Sequence, residues 1–275
     1  MVPLFLIFSK KRKMIPVEKA VFNRSERLLG AQKMDVLSSV KVIIFGVGGV
    51  GSWCAESLVR SGIRHITMVD SDRVCITNCN RQLMATTKTI GRVKVEALKE
   101  RLLEISPAAQ IDAIRKVYNA ETAGEFGLEE YDFIIDAIDS LSDKALLMLN
   151  ASKIAHDNKR TVFISSMGAA LRVDPTKVRV AEFWKVQGDA LARALRNKFK
   201  RSKQFPASKF MCVYSEELPL PNLGETTTCG TDSCICQKEA SDLPEKVQVN
   251  GSLSHITGIF GMTIAGLVIK NIYER

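Results

Sequence analysis

The chain has 275 residues, of which 46% are hydrophobic and 25% are charged, and its formal net charge is +9. This length and composition allow a sizeable core and exclude a disordered or fibrous chain. Seven cysteines, an odd number in a sequence that shows no export signal, are typical of reduced thiols in a cytosol. We therefore expect a soluble cytoplasmic protein.

The start of the chain does not read as a secretory signal. Residues 1–8 are apolar and residues 10–13 are basic, whereas a signal has its basic residues before the apolar core. We expect residues 1–14 to form a disordered extension and residues 15–275 to form a single domain.

A glycine-rich motif stands between two predicted strands. Residues 42–45 are an apolar run typical of a buried parallel strand, a helical pattern covers residues 52–61, and a second strand at 65–69 ends before Asp70. The motif between the first strand and the helix contains Gly46, Gly48, Gly49 and Gly51. Glycines permit positive φ and close backbone approach, the helix N-terminus offers free N–H groups to a phosphate, and an acid about 20 residues on can bind a ribose hydroxyl. This order of elements predicts a nucleotide-binding, Rossmann-like fold.

Polar residues farther along indicate more than a dinucleotide site. Asn78, Arg81 and Lys94 follow Asp70, and a third predicted strand is followed by Asp139. Hydride transfer has no need of an Arg, a Lys and a further Asp near the phosphates. Cleavage of a nucleoside triphosphate develops charge that cations and a carboxylate-held Mg²⁺ stabilise. We therefore predict a triphosphate site, with a Rossmann oxidoreductase as the weaker alternative.

Strand and helix signals alternate as far as Lys177 and then loosen. The third strand is predicted at 132–136, a helix at 141–157, and further strands at 161–166 and 178–183. The pattern predicts an α/β fold with a mostly parallel sheet, crossover helices and extra C-terminal strands.

The positive charge is concentrated in one stretch. Residues 190–210 contain seven basic residues and no acidic one, with three phenylalanines between them. A solvated helix and loop is the plain structural interpretation, but in a basic chain with a triphosphate site we favour binding to a phosphate backbone. The candidate nucleic-acid contacts are Arg193, Arg196, Lys198, Lys200, Arg201 and Lys203.

The chain resembles the adenylyltransferase superfamily of ubiquitin-activating enzyme, which includes the sulfur-carrier activators. The motifs that carry the resemblance are residues 46–53, 69–78 and 80–82. Trp53 after the glycines and the run Asp-Ala-Ile-Asp-Ser at 136–140 make it most similar to the tRNA threonylcarbamoyladenosine dehydratase branch.

The resemblance implies a role for each matching residue. The four glycines shape the ATP loop, Asp70 holds the ribose, and Asp139 lies by Mg²⁺ and the α-phosphate. Asn78, Arg81 and Lys94 face the phosphates. In a homodimer, either Arg24 or Arg27 reaches into the partner's site as an arginine finger; these two lie three residues apart and could instead form a solvated helix face.

The implied activity is adenylation of the carboxylate of threonylcarbamoyladenosine in tRNA, followed by ring closure with loss of water. The alternative is activation of the C-terminus of a ubiquitin-like sulfur carrier, and a sulfur-relay or carrier protein is a further candidate partner. Sulfur-carrier activators typically hold zinc with two Cys-x-x-Cys pairs. Cys234 and Cys236 are too closely spaced for that pattern and only Cys229 is near, so we expect no structural zinc, which favours the dehydratase.

The apolar segment at 256–269 is too short for confident membrane spanning. The resemblance implies a buried C-terminal helix here, and we do not expect a membrane anchor.

Overall fold

A seven-stranded sheet organises the residues that the computed structural model describes, which are 16–223 and 250–275. The strands are β1 (Lys41–Phe45), β2 (His65–Val69), β3 (Gln110–Ile114), β4 (Phe133–Asp136), β5 (Val162–Ser166), β6 (Val178–Glu182) and β7 (Met211–Ser215). Their spatial order is β3-β2-β1-β4-β5-β7-β6. Every neighbouring pair is parallel except β6 and β7, which are antiparallel. The predicted α/β fold with a mostly parallel sheet is confirmed.

Helices precede, connect and follow the strands. They are α1 (Pro16–Val21), α2 (Asn23–Leu29), α3 (Ala31–Ser39), α4 (Gly51–Arg60), α5 (Lys94–Ile105), α6 (Leu141–Asp157), α7 (Ala190–Ser202) and α8 (Ser254–Glu274). The helix α4 connects β1 to β2, α5 connects β2 to β3, and α6 connects β4 to β5. The expected extension at 1–14, and Cys229, Cys234 and Cys236, lie outside the described residues.

The central strands are buried on both faces. In β1, Val42 and Ile44 join one hydrophobic cluster, whereas Ile43 and Phe45 join a second cluster on the other side of the sheet. Successive side chains of a strand point to opposite faces, so a strand covered by helices on both sides must be apolar throughout. This is why β1 could be predicted from its sequence alone.

The strand β3 was not predicted. It lies at the edge of the sheet, pairs only with β2, and buries Ile111 alone among its five residues. An edge strand has little need of a continuous apolar run, so its sequence carries a weak signal.

The C-terminal helix α8 belongs to the core. Among the described helices it is the one long and apolar enough to cross a membrane, but half of that apolar window is buried inside the protein. Ile256, Phe260 and Ile264 are fully buried. A Cβ added to Gly261 would lie 2.4 Å from the carbonyl oxygen of Val50, so α8 packs closely against the start of α4. The expected buried C-terminal helix is thus present.

Candidate active site

The carboxyl ends of β1, β2, β4 and β5 face one cleft of about 980 Å³. Chain connections run outward in both directions from β1 and β4, and ligands of open parallel sheets bind at such a switch point. Most of the residues predicted for the nucleotide site line this cleft: Gly46, Gly48, Gly49, Asp70, Arg81, Lys94 and Asp139.

The glycine loop packs tightly against the loop that follows β4. Gly46 has a φ of +84°, and a Cβ there would lie 2.6 Å from the carbonyl oxygen of Ala137. At Gly51, a Cβ would lie 1.9 Å from the carbonyl oxygen of Gly46, so this glycine is buried beneath the loop and does not line the cleft. The helix α4 begins at Gly51, so the positive end of its dipole lies at the glycine loop, where it favours a bound anion.

Asp70 is fixed at the end of β2 by two backbone donors. The Val47 N–H donates to Oδ2 and the Asp72 N–H donates to Oδ1, both at 2.9 Å. Burial raises the pKa of the Asp70 carboxyl, although the nearby Lys94 ammonium opposes the shift. The carboxyl therefore joins the glycine loop to the end of β2, where a ribose hydroxyl can reach it.

Lys94 is not a solvated helix residue. It is the first residue of α5, it is 6% exposed, and its Nζ donates to Asp72 Oδ2 at 2.7 Å. Asp70 Oδ1 lies 3.9 Å away. Burial alone would lower the pKa of Lys94, but Asp70, Asp72 and Asp139 outweigh it and raise the pKa above its ordinary value. The side chain is therefore a fixed cation in the cleft.

Arg81 is held in the turn-rich segment that follows a short 3₁₀ helix. Its Nη1 donates to the Thr77 carbonyl and to Asn80 Oδ1, both at 3.0 Å, and its carbonyl accepts from Trp53 Nε1 at 3.1 Å. Burial lowers the pKa of Arg81, and the carboxylate of Asp139 opposes this shift. Arg81 and Lys94 thus both interact with Asp139 across the cleft.

Besides Gly51, three residues predicted for the nucleotide site lie outside the cleft lining. Asn78 is buried, and its Oδ1 accepts from the Cys75 N–H at 2.9 Å, which caps the 3₁₀ helix. Arg24 and Arg27 are exposed on α2, where Arg27 donates to Asn23 Oδ1 at 2.9 Å. Their role as an arginine finger stays a prediction.

A buried ion pair supports the loop that carries Asp139. Asp136 and Lys144 are fully buried and lie 2.8 Å apart. Asp136 Oδ1 accepts from the Ile138 N–H, and Lys144 Nζ donates to the Ile138 carbonyl, both at 3.0 Å. Ser165 Oγ also donates to Asp136 Oδ2 at 2.6 Å. Nothing in the helical pattern of α6 singled out Lys144.

The side chains fit Mg²⁺ only in the presence of a bound phosphate. Among residues 16–223 and 250–275, no group of three or more His, Cys, Asp or Glu could hold a metal ion. Asp139 is the cleft carboxylate that follows β4, beside the predicted phosphate position. Mg²⁺ commonly uses one or two carboxylates together with substrate phosphates and water, so this donor set suits a metal that arrives with a nucleotide.

The basic stretch forms most of α7. Arg193, Lys198, Lys200, Arg201 and Lys203 are exposed. Arg196 is different, because its Nη1 donates to the carbonyls of Phe183 and Val186 at 3.2 and 2.8 Å. Arg196 therefore fixes α7 to the fold, whereas the other five basic side chains are available to solvent.

Comparison with known proteins agrees with this arrangement. The profile of the ThiF family matches residues 22–275. The chain belongs to the ThiF family. It is 37% identical over 199 residues to a tRNA threonylcarbamoyladenosine dehydratase of Bacillus subtilis, which covers 72% of this chain and 76% of the relative.

Solved structures give the same result. The structure of the Escherichia coli enzyme TcdA, a tRNA N6-threonylcarbamoyladenosine dehydratase, in complex with AMP matches with a TM-score of 0.78 and 27% identity, over 94% of this chain and 96% of that one. Its complex with ATP matches with a TM-score of 0.77. A sulfur carrier protein adenylyltransferase of Thermus thermophilus is 29% identical over 119 residues, which is 43% of this chain and 44% of the relative.

Proposed function

We propose that this chain is an ATP-dependent dehydratase that adenylates the carboxylate of threonylcarbamoyladenosine in tRNA and cyclises it with loss of water. The observation that carries the proposal is the group of Lys94, Arg81 and Asp139, which line one cleft beside a glycine loop and Asp70. Such a group suits a triphosphate, and the similarity to dehydratases of that name extends over most of the chain.

The chemistry has two balanced steps. In the first, a carboxylate oxygen attacks the α-phosphorus of ATP, and pyrophosphate leaves with the electron pair of the broken P–O bond. Lys94 and Arg81 stabilise the charge that grows on the phosphoryl oxygens, and the N-terminus of α4 adds a further positive end. In the second, a neighbouring atom of the carbamoyl group attacks the activated carbonyl carbon, loses its proton, and expels AMP with the former carboxylate oxygen.

ATP and Mg²⁺ have separate residues in this scheme. Asp70 binds the ribose hydroxyls and the glycine loop follows the phosphates. Bound Mg²⁺ would supply positive charge to the phosphates, and Asp139 is the residue that would hold it.

Mass analysis of the nucleoside tests the proposal. The full chain is incubated with ATP, Mg²⁺ and threonylcarbamoylated tRNA, and the digested nucleoside should lose the mass of one water. Reactions without ATP are the control. An unchanged nucleoside mass, from a chain that is shown to bind ATP, would contradict the proposed function.

We propose that the exposed basic face of α7 binds the tRNA. An exposed aromatic pair follows it in the chain: Phe205 comes two residues after Lys203, and its ring centroid lies 6.1 Å from that of Trp184. Cations that neutralise phosphates and aromatic rings on which bases can stack are the common elements of RNA-binding surfaces.

A charge-removal variant tests this surface. Replacing Lys198, Lys200, Arg201 and Lys203 with Gln should weaken tRNA binding and flatten its log–log salt dependence by roughly one unit for each lost phosphate contact. ATP binding should not change. A control variant removes four exposed lysines from other elements: Lys88, Lys153, Lys159 and Lys270. Equal tRNA affinity and salt slope in the two variants would exclude α7 as the binding face.

Activation of a sulfur carrier is the second candidate, because it uses the same ATP site and the chain is similar to one such adenylyltransferase over 43% of its length. The α7 variant separates the two. A sulfur-carrier activator binds a small protein tail, so loss of the α7 charges would leave its reaction nearly unchanged.

We further propose a cytoplasmic homodimer in which Arg24 or Arg27 of one subunit completes the other subunit's site. Both arginines are exposed on α2 and neither lines its own cleft. Mixed dimers of Asp139→Ala chains with Arg24→Ala or Arg27→Ala chains should regain activity. Failure of both mixtures to regain it, in verified mixed dimers, would count against the finger.

A further inference from the structure

Arg172 places a buried cation on the β5 side of the cleft. It follows β5, lines the cleft and is 3% exposed. Within the described residues, neither its Nε nor its Nη1 has a hydrogen-bond partner. Buried donors without acceptors are unfavourable and rare in folded proteins, so these two N–H groups point to a ligand.

The neighbouring carboxylates are already engaged by backbone donors. Asp189 accepts from Ala192 N–H at 2.7 Å and from Gly168 N–H at 3.1 Å, one on each oxygen. Both oxygens of Glu217 accept from the Val173 N–H, at 3.2 and 3.0 Å. These acids provide a favourable field for Arg172 but do not satisfy its Nε and Nη1.

Leu171, the residue before Arg172, has a strained backbone that two hydrogen bonds hold in place. Leu171 has a φ of +59°, which is uncommon for a residue with a branched side chain. Its N–H donates to the Gly251 carbonyl and its own carbonyl accepts from the Leu220 N–H, both at 2.9 Å. Strain of this kind is concentrated at ligand sites, and here the two hydrogen bonds fix the residue that precedes Arg172.

The nucleotide already has its own cations. Lys94 and Arg81 lie near Asp139, by the strand ends that carry the glycine loop and Asp70. The end of β5 is three strand spacings from the end of β2, which is roughly 14 Å. A second anion can therefore lie at the β5 end while ATP occupies the β2 end.

We infer that Arg172 binds the carboxylate of the acyl substrate and holds it against the α-phosphate of ATP. This inference rests on the proposed function, for which it names the carboxylate-binding residue. An ionised carboxylate is an acceptor-only anion, and arginine stays charged when buried and donates in fixed directions. The carboxylate would accept a hydrogen bond from one of these donors, which would orient one of its oxygens for attack.

Binding measurements without ATP test the inference. Two forms of one tRNA are compared: threonylcarbamoylated tRNA, and the same tRNA with its threonyl carboxylate converted to the neutral methyl ester. The full-length wild-type chain should bind the acid more tightly by roughly 10- to 100-fold, the usual range for a hydrogen-bonded charge. Arg172→Gln should bind both forms equally, and Arg172→Lys should keep part of the preference.

The controls separate a binding role from a structural one. Arg179→Gln removes the same charge from an exposed, ion-paired position on β6, outside the cleft lining, and should keep the full preference. Thermal unfolding verifies that each variant is folded. If Arg172→Gln does not fold, the preference for the acid form is measured with Arg172→Lys.

Each outcome decides the inference. If Arg172→Gln keeps the full preference for the acid form while the wild-type chain dehydrates the tRNA, the inference is overturned but the proposed function stands. Loss of ATP affinity with the acid preference intact would make Arg172 a phosphate ligand and would also overturn it. If the wild-type chain shows neither an acid preference nor ATP-dependent loss of water, the proposed function fails and the inference with it.

Discussion

Gly46→Ala should destabilise the protein because two loops of the cleft touch at this glycine. The φ of +84° is strained for any residue with a Cβ, and the added Cβ would lie 2.6 Å from the Ala137 carbonyl oxygen and 2.9 Å from its carbon. Backbone atoms cannot yield as a flexible side chain can. The loop that carries Ala137 and Asp139 would therefore have to move away from the glycine loop.

Gly91→Ala is the matched control. Gly91 has nearly the same φ, +82°, but nothing lies within 4 Å of its Cβ position. A left-handed conformation costs a non-glycine residue about 1–2 kcal/mol, and this cost applies to both variants. The overlap at Gly46 should add about 1–3 kcal/mol, the usual range for overpacking.

Urea denaturation measures the free energy of unfolding of both variants, and a fluorescent ATP analogue measures nucleotide affinity. Gly46→Ala should be less stable than Gly91→Ala by that additional amount and should bind the analogue more weakly, whereas Gly91→Ala should bind it like wild type. If the two variants unfold with the same free energy, the contact between the glycine loop and Ala137 does not constrain the cleft.

Three further predictions concern the carboxylates of the fold. Asp139→Ala should abolish tRNA-dependent pyrophosphate exchange and keep the wild-type unfolding midpoint. Asp143→Ala, at another acid of the cleft lining, should keep most of the exchange. Normal exchange in Asp139→Ala would exclude a role for Asp139 in holding Mg²⁺. Lys144→Met should lower the free energy of unfolding by about 3–5 kcal/mol because it leaves Asp136 buried and unpaired, and adding Asp136→Leu should recover part of the loss; an equal or larger loss in the double variant would contradict this. Burial alone would raise the pKa of Glu56, but hydrogen bonds from Arg101 and Arg60 outweigh it and lower the pKa below its ordinary value of 4.5. The ionised Glu56 therefore stabilises the fold above that pH, and this contribution is lost as the pH falls through the lowered pKa. Glu56→Gln should therefore cost about 1–3 kcal/mol near neutral pH and progressively less in urea titrations toward acid pH, and a cost independent of pH would contradict it.

The meeting of the glycine loop, Asp70, Arg81, Lys94 and Asp139 at one cleft was predictable because short sequence motifs determine it. The glycines, Asp70 and Asp139 follow closely after strands, and the carboxyl ends of parallel strands meet at one edge of the sheet. Arg81 lies in the segment that follows β2, and Lys94 begins α5. Periodicity and motif spacing are enough to place residues of this kind.

The rest of the cleft depends on contacts between distant segments. Arg172 lines the cleft because Leu171 is held by Gly251 and Leu220, and Lys144 supports Asp139 only through a loop that is folded back onto α6. Asn78 shows the converse: it stands within a nucleotide motif, but its side chain caps a turn. No local pattern predicts such contacts, because they form only when the tertiary fold is complete.

Transfer of a heavy-oxygen label tests most directly whether this cleft adenylates a tRNA carboxylate. The threonyl carboxylate of the modified tRNA is labelled with heavy oxygen, the reaction is run with ATP and Mg²⁺, and the released AMP is weighed by mass spectrometry. Adenylation followed by ring closure predicts AMP that carries one heavy oxygen, in an amount equal to the dehydrated nucleoside. Unlabelled AMP, or label found in inorganic phosphate, would show that the carboxylate does not attack the α-phosphorus.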